Sequence, residues 1–149
     1  MNNFDINTIK TSLQQKGIRP SIQRLKIMEY LHQHVMDHPT AEEIYTALSP
    51  EIPTLSRATV YNTLHSFLQA ELINSLSVDG LESHYDAIVE QHGHFKCRQC
   101  GKIYDFPVSV ENLCVKELEK YQIEHKTIIF TGICPQCLTQ SKKENKSER

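Results

Sequence analysis

The sequence has no Trp, no surplus of positive charge, no long apolar run and no even set of cysteines. Each shortage closes a class of protein. Lys and Arg number 16 against 18 Asp and Glu, a formal charge of −2, so the chain is no bulk polybasic nucleic-acid binder. A local basic surface stays open. The apolar stretch near the end, Ile128-Ile129-Phe130, is far shorter than the ~20 residues of a membrane span. Met1 to Lys10 contains Asp5 and no hydrophobic run, so no secretory signal and a cytoplasmic location are expected. Five cysteines cannot all pair within one chain. In a reducing compartment, grouped cysteines are metal ligands or redox centres more often than structural disulfides.

What is present divides the 149 residues near position 90. Residues 1–80 contain no Cys, and residues 81–149 contain all five. The first part carries helical periodicity. Ile6, Ile9 and Leu13 share one face of a helix ending at Gly17. Ser21 is placed to cap a second helix with Leu25, Met28 and Leu31 on its stripe, joined by Ile22. Thr40 and Glu43 form a capping box for a third helix, followed by Ile44, Tyr45 and Leu48. Ser56 caps a fourth, which buries Val60, Leu64, Phe67 and Leu68. The period then falls from 3.6 to about 2. Leu72–Val78 and Leu81–Ala87 read as strands around Asp79-Gly80, a dipeptide suited to a tight hairpin. Helices followed by a hairpin predict a winged helix-turn-helix.

The second part reads as α+β. Strands are expected at His94–Cys97 and Lys102–Phe106, and an amphipathic helix from about Ser109 to Tyr121 carrying Val110, Leu113, Glu117 and Leu118. Ile123 to Thr131 is β-rich and stops at Gly132. The polar tail from Ser141 to Arg149 is expected to lack order.

Cys97-Arg98-Gln99-Cys100 and Cys134-Pro135-Gln136-Cys137 are two matched knuckles separated by 33 residues. Two residues between thiols let both sulfurs face one ion. Two such knuckles complete a closed tetrahedral shell for structural Zn²⁺, with no position left for substrate. A redox pair or buried single thiols are the alternatives, and thioredoxin-like chemistry expects one such pair rather than two. Cys114 stands apart and is expected as a small buried side chain. His92-Gly93-His94 puts two imidazoles on one strand face. Asp86 closes the hairpin, Asp105 lies on the following strand, and His38 precedes the third helix. Singly, each is more often a capping or solvated residue than a ligand.

Several segments together resemble the ferric uptake regulator superfamily, from Ile6 to Leu138. They are Ser21-Ile22-Gln23-Arg24, His38-Pro39-Thr40-Ala41-Glu42-Glu43-Ile44-Tyr45, Ala58-Thr59-Val60-Tyr61-Asn62-Thr63-Leu64, His92-Gly93-His94, Cys97 to Lys102, and Gly132 to Cys137. The resemblance implies a homodimeric, metal-dependent transcriptional repressor that is not an enzyme. Its parts would be a winged-helix domain at 1–87, a hinge at 88–92, a metal-binding α/β dimerisation domain at 93–140 and a tail at 141–149. It implies a regulatory Fe²⁺ or Mn²⁺ site of His38, Asp86, His92, His94 and Asp105 beside the structural zinc of Cys97, Cys100, Cys134 and Cys137.

Asp at both carboxylate positions looks like the peroxide-responsive repressors. There a ligand histidine, by resemblance His38 or His92, is oxidised and the metal and DNA are released. An iron or zinc uptake regulator of the same family is the alternative. Gln91 and Gly93 stand where uptake regulators commonly place His and Asp, so a further metal site with His125 is not expected.

Lys10, Lys16, Arg19, Arg24 and Lys26 fall between Ile6 and Met28 with no acidic residue among them. That run supplies the local basic surface that net charge concealed. By resemblance, Ser56, Arg57, Thr59, Tyr61 and Asn62 would meet the major groove of a palindromic operator, with Tyr61 on a base and Arg19 near the minor groove, and Arg24 beside them. The family's usual Thr-Pro-Gln-Arg reads Ser21-Ile22-Gln23-Arg24 here, with proline at Pro20. Arg57 and His65 are further departures, so the operator sequence is expected to differ. A zinc hydrolase built on the His/Asp set would need a general-base motif such as His-Glu-x-x-His, which is absent. A zinc-stabilised interaction module would bind no DNA.

Overall fold

The computed structural model describes residues 5–147, apart from 79, 81, 91, 110–113 and 125. It resolves into two compact units, Met1–Val89 and Glu90–Arg149. Among the described residues no helix is long and apolar enough to cross a membrane.

The first unit holds four helices and a strand pair. They are α1 (Ile6–Gln15), α2 (Ile22–Gln33), α3 (Ala41–Leu48), α4 (Arg57–Gln69), β1 (Asn74–Leu76) and β2 (His84–Asp86). Three starts are made by side chains that accept orphan backbone N–H groups. Ser21 accepts from Arg24, Ser56 accepts from Thr59, and Thr40 and Glu43 close a reciprocal capping box. Ile9, Leu13, Ile27, Leu31, Ile44, Val60, Leu64 and Phe67 meet in one core. β1 and β2 pair antiparallel, Asn74 opposite Asp86 and Leu76 opposite His84, so the unit is a winged helix-turn-helix. The strands are shorter than the predicted runs. Gly80 has the left-handed φ of 64° that a tight turn requires, while Asp79 and Leu81 lie outside the described residues.

Ile22 departs from expectation. It is 73% exposed, whereas Ile27, Met28 and Leu31 are buried. At 3.6 residues per turn, Ile22 points about 120° away from Met28, so it does not belong to the stripe.

The second unit carries a three-stranded sheet. Its strands are β3 (Gly93–Cys97), β4 (Ile103–Phe106) and β5 (Ile128–Gly132), in the order β4-β3-β5. β3 runs antiparallel to β4 and parallel to β5. Among the described residues of Ser109–Tyr121 no α-helix is formed. Among the described residues there is only a 3₁₀ turn, Lys116–Leu118, preceded by Val115 in an extended conformation (φ −103°, ψ 109°). β-branched Val115 breaks the run, and the expected stripe counted a charged residue, Glu117. Val110 and Leu113 lie outside the described residues. Cys114 is exposed, not buried. The β-rich stretch from Ile123 pairs only over Ile128–Gly132.

The tail is not without order. Helix α5 spans Pro135–Ser147. Pro135 is suited to a first helical position, and the Lys and Glu residues that follow are good helix formers when a start is supplied.

Candidate metal centres

The knuckles fold as expected from their turns. Gly101 takes a left-handed φ of 75° just after Cys100, and the Gly101 amide donates to the Cys97 carbonyl at 3.0 Å. Arg98 N–H reaches the Gly132 carbonyl at 2.8 Å, which ties the first knuckle to the end of β5. Cys97, Cys134 and Cys137 are buried, and one ligand atom from each of the four cysteines lies within 4.8 Å of the other three.

The sulfur separations test the fit to an ion. Cys97–Cys137 and Cys100–Cys134 are each 3.8 Å. A disulfide would need about 2.05 Å. A tetrahedron with Zn–S near 2.3 Å has sulfur edges of about 3.8 Å, so the thiols stand where a tetrahedral shell requires them. The backbone is arranged for thiolates. Cys134 N–H donates to Cys97 Sγ at 3.3 Å. Amides of Cys100, Cys134 and Gln99 together pull the Cys97 thiol down to about 6. A side-chain hydrogen bond to Cys134 pushes Tyr104 up to about 12, and Cys134 is lowered first by the Cys137 amide and further by Tyr104.

The His/Asp residues fall in both units. In the first, His38 and Asp86 are buried, with Nε2 and Oδ2 3.8 Å apart. Asp86 Oδ1 accepts from Ile88 N–H at 2.8 Å, which orients the carboxylate. In the second, His94 and Asp105 are opposite one another on β3 and β4. His94 Nδ1 is 2.8 Å and His92 Nε2 is 3.6 Å from Asp105 Oδ1. His92 Nδ1 donates to the Glu90 carbonyl at 2.7 Å, and this leaves its Nε2 lone pair on the Asp105 side. Glu90 was not legible as a partner, because a carbonyl contact carries no residue signature. Gly93, between the two imidazoles, has a packing reason. A Cβ there would strike the Phe106 ring, which stacks on Phe130 at 5.5 Å. An acidic side chain at this position would displace that ring. Gln91 and His125 lie outside the described residues.

The candidate DNA-facing residues have distinct surroundings. Tyr61 is half exposed and Asn62 is exposed on α4; Thr59 is half-buried. Ser56 is occupied as the cap. Arg19 is exposed, but Arg24 Nη1 donates to the Arg19 carbonyl at 2.7 Å and braces the α1–α2 connection. Arg57 is held by Glu42, through Nε at 3.0 and 3.1 Å and Nη2 at 2.8 Å, and lies over the Tyr45 ring. Neither brace was legible, since Glu42 and Arg57 are 15 residues apart and Arg24 bonds a backbone carbonyl, which carries no residue signature.

The chain has counterparts among known proteins. The profile described as "Ferric uptake regulator family" matches residues 15–131. The chain is 38% identical over 138 residues to the "Peroxide operon regulator" of Bacillus subtilis (strain 168), covering 90% of this chain and 92% of that one. Among solved structures, it resembles the Vibrio cholerae ferric uptake regulator with a TM-score of 0.69 at 29% identity, over 85% and 99% of the two chains. It resembles the Streptococcus pyogenes protein PerR, solved for "peroxide sensing and gene regulation", with a TM-score of 0.51 at 34% identity, over 89% and 92%. With this profile match and this identity across nine-tenths of its length, the chain belongs to the ferric uptake regulator family.

Proposed function

We propose that the protein is a metal-gated transcriptional repressor that senses peroxide, acting in the cytoplasm as a homodimer on a palindromic double-stranded DNA operator. The observation that carries this reading is the donor set. His38 with Asp86 in the first unit, and His92 and His94 with Asp105 in the second, offer imidazoles and carboxylates with no thiolate. Such a mixture suits Fe²⁺ or Mn²⁺, while the all-thiolate shell of Cys97, Cys100, Cys134 and Cys137 suits Zn²⁺. His38 and Asp86 belong to the first unit and the other three to the second. An ion drawing on both would tie the units into one arrangement. That is the differential affinity an effector needs to shift a binding equilibrium.

Two Asp carboxylates support peroxide sensing, as do the peroxide-related names of two relatives. When bound, Fe²⁺ supplies the redox chemistry that transfers oxygen from H₂O₂ to an imidazole. His38 and His92 are the candidates to receive it. An oxidised ring donates more weakly, so the tie between units loosens and DNA is released. The ligand is sacrificed and no substrate turns over, so the protein is not an enzyme.

On the DNA side, α4 would enter the major groove with Arg57, Thr59, Tyr61 and Asn62, its start fixed by Ser56, while Arg19 and Arg24 flank it. Val115, Leu118, Tyr121, Ile123 and Phe130 are exposed on the second unit. They support a surface that a second copy covers, and a two-fold dimer calls for a palindrome.

The test is mass spectrometry of iron-loaded protein after H₂O₂, with operator binding measured on the same samples. A single-oxygen gain on His38 or His92 together with loss of binding is expected. Unmodified histidines in protein that keeps its Fe²⁺ would make it an iron or zinc uptake regulator instead. Operator binding indifferent to Fe²⁺ and Mn²⁺ would end the metal-gated reading.

A further inference from the structure

Resting on the reading of His38 as a metal ligand, we infer that His84 is its positioning residue. The His84 imidazole, hydrogen-bonded to the His38 carbonyl, holds that ligand's backbone in a disfavoured conformation.

His38 has a φ of +49°. The left-handed region is sterically unfavourable for a side chain with a Cβ. Glu71 is the other non-glycine residue with positive φ among the described residues. It has an ordinary cause, because Glu71 and Leu72 N–H groups close the end of α4 onto the carbonyls of Leu68 and Phe67. His38 is not at such a helix end. It lies five residues beyond the end of α2, and Pro39 follows it. Proline narrows the choices of the preceding residue and offers no N–H of its own.

β2 supplies the compensation. Tyr85 N–H donates to the Pro39 carbonyl at 2.9 Å. Thr40 and His84 form an antiparallel bridge. His84 Nδ1 lies 2.7 Å from the His38 carbonyl oxygen. A carbonyl only accepts, so Nδ1 carries the proton. The first two contacts are main-chain and would survive a change of side chain at position 84. The third belongs to His84 alone. β2 ends at Asp86, whose carboxylate faces the His38 ring at 3.8 Å. One three-residue strand therefore supplies one ligand and steadies the other.

Partners of ligands are costly to remove because they fix ring orientation. The experiment titrates Mn²⁺ calorimetrically into zinc-loaded full-length protein. His84→Asn keeps an N–H as many bonds from Cβ as Nδ1. His84→Leu keeps bulk without a donor, and His84→Ser is too short to reach. Leu and Ser should weaken Mn²⁺ binding about 10- to 100-fold, and Asn should stay near wild type, all with unchanged zinc content. If Leu and Ser bind Mn²⁺ as tightly as wild type, or Asn loses as much as they do, the inference is overturned. His38→Ala is the separate control. If it leaves Mn²⁺ affinity intact, the ligand reading itself has failed.

Discussion

Removal of zinc should unfold the second unit and leave the first standing. The reason lies in what fills each core. The first unit packs 14 buried residues into one cluster, from Ile9 to Tyr85. Among the described residues of the second unit, the buried apolar side chains are Cys97, Ile103, Cys134 and Cys137. Three of those four are the thiols, with Phe95, Tyr104 and Ile133 packed part-buried around them. Full burial of one Ile contributes ~1.5–3 kcal/mol. Zinc bound by comparable ligand sets contributes on the order of 10–16 kcal/mol in peptides. The ion thus outweighs Ile103 several-fold, and ordinary domains are stable by only ~5–15 kcal/mol in all.

The assay is hydrogen exchange by mass spectrometry on protein stripped with a strong chelator. Amides of Gly93–Cys97, Ile103–Phe106 and Ile128–Gly132 should lose their protection, while those of α2 and α4 keep theirs. Returning Zn²⁺ should restore the pattern. Cys134→Ser, which removes one thiolate and the sulfur that Tyr104 bonds, should reproduce the loss without a chelator. Zinc-free protein whose β3 and β5 amides still exchange slowly would refute the argument.

Thr40→Ala removes the side chain that accepts from Glu43 N–H at 3.2 Å. It should cost about 1 kcal/mol and lower the melting temperature of the first unit by about 4–8 °C; a scanning calorimeter that sees no shift counts against the capping box. Glu42→Gln should loosen the grip on Arg57 and free a cation for phosphate, so the plot of operator affinity against salt steepens by about one unit of slope. Anisotropy titrations in stepped KCl would read it, and an unchanged slope would leave Arg57 as a brace between α3 and α4 only. His32 is held below its ordinary value of 6.5 by burial. The unfolded chain therefore takes up a proton near 6.5 while the folded one resists. That contribution to stability is intact above 6.5 and lost as pH falls through the window beneath it, and His32→Gln should flatten the melting profile there. The effect is small, because the ring is part exposed and solvent screens it.

The helix starts were legible because their signals are local. Ser21, Thr40 with Glu43, and Ser56 each act on an amide three positions on, within reach of any sequence window. The cysteine shell was legible for a different reason: two knuckles of the same spacing demand a shared partner at whatever distance. Contacts without such a demand were hidden. His84 meets the His38 carbonyl across 46 positions, and a lone histidine on a short strand carries no mark of it. Ile22 and Cys114 were misplaced by treating apolar character as a direction. A helix has to be in phase before a side chain points inward. The tail was misjudged because its composition was weighed apart from the helix that Pro135 and Cys137 begin.

The sheet of the second unit explains why one ion can serve another. Side chains alternate along a strand. On β3, His94 falls on one face and Phe95 and Cys97 fall at alternate positions; on β4, Asp105 pairs with His94, and Tyr104 pairs with Phe95. Phe95 and Tyr104 pack on the thiols, and Tyr104 bonds Cys134. Asp105, one residue on, faces His92 and His94. The strand pair is therefore pinned from its thiol side, and the His/Asp side inherits its register. A slip of one residue would reverse both faces together. Stripping zinc should accordingly abolish Mn²⁺ binding although no thiol is proposed to touch that ion. Cys134→Ser should do the same with His92, His94 and Asp105 all present. Retention of full Mn²⁺ affinity by a zinc-free protein would show that the two faces are independent.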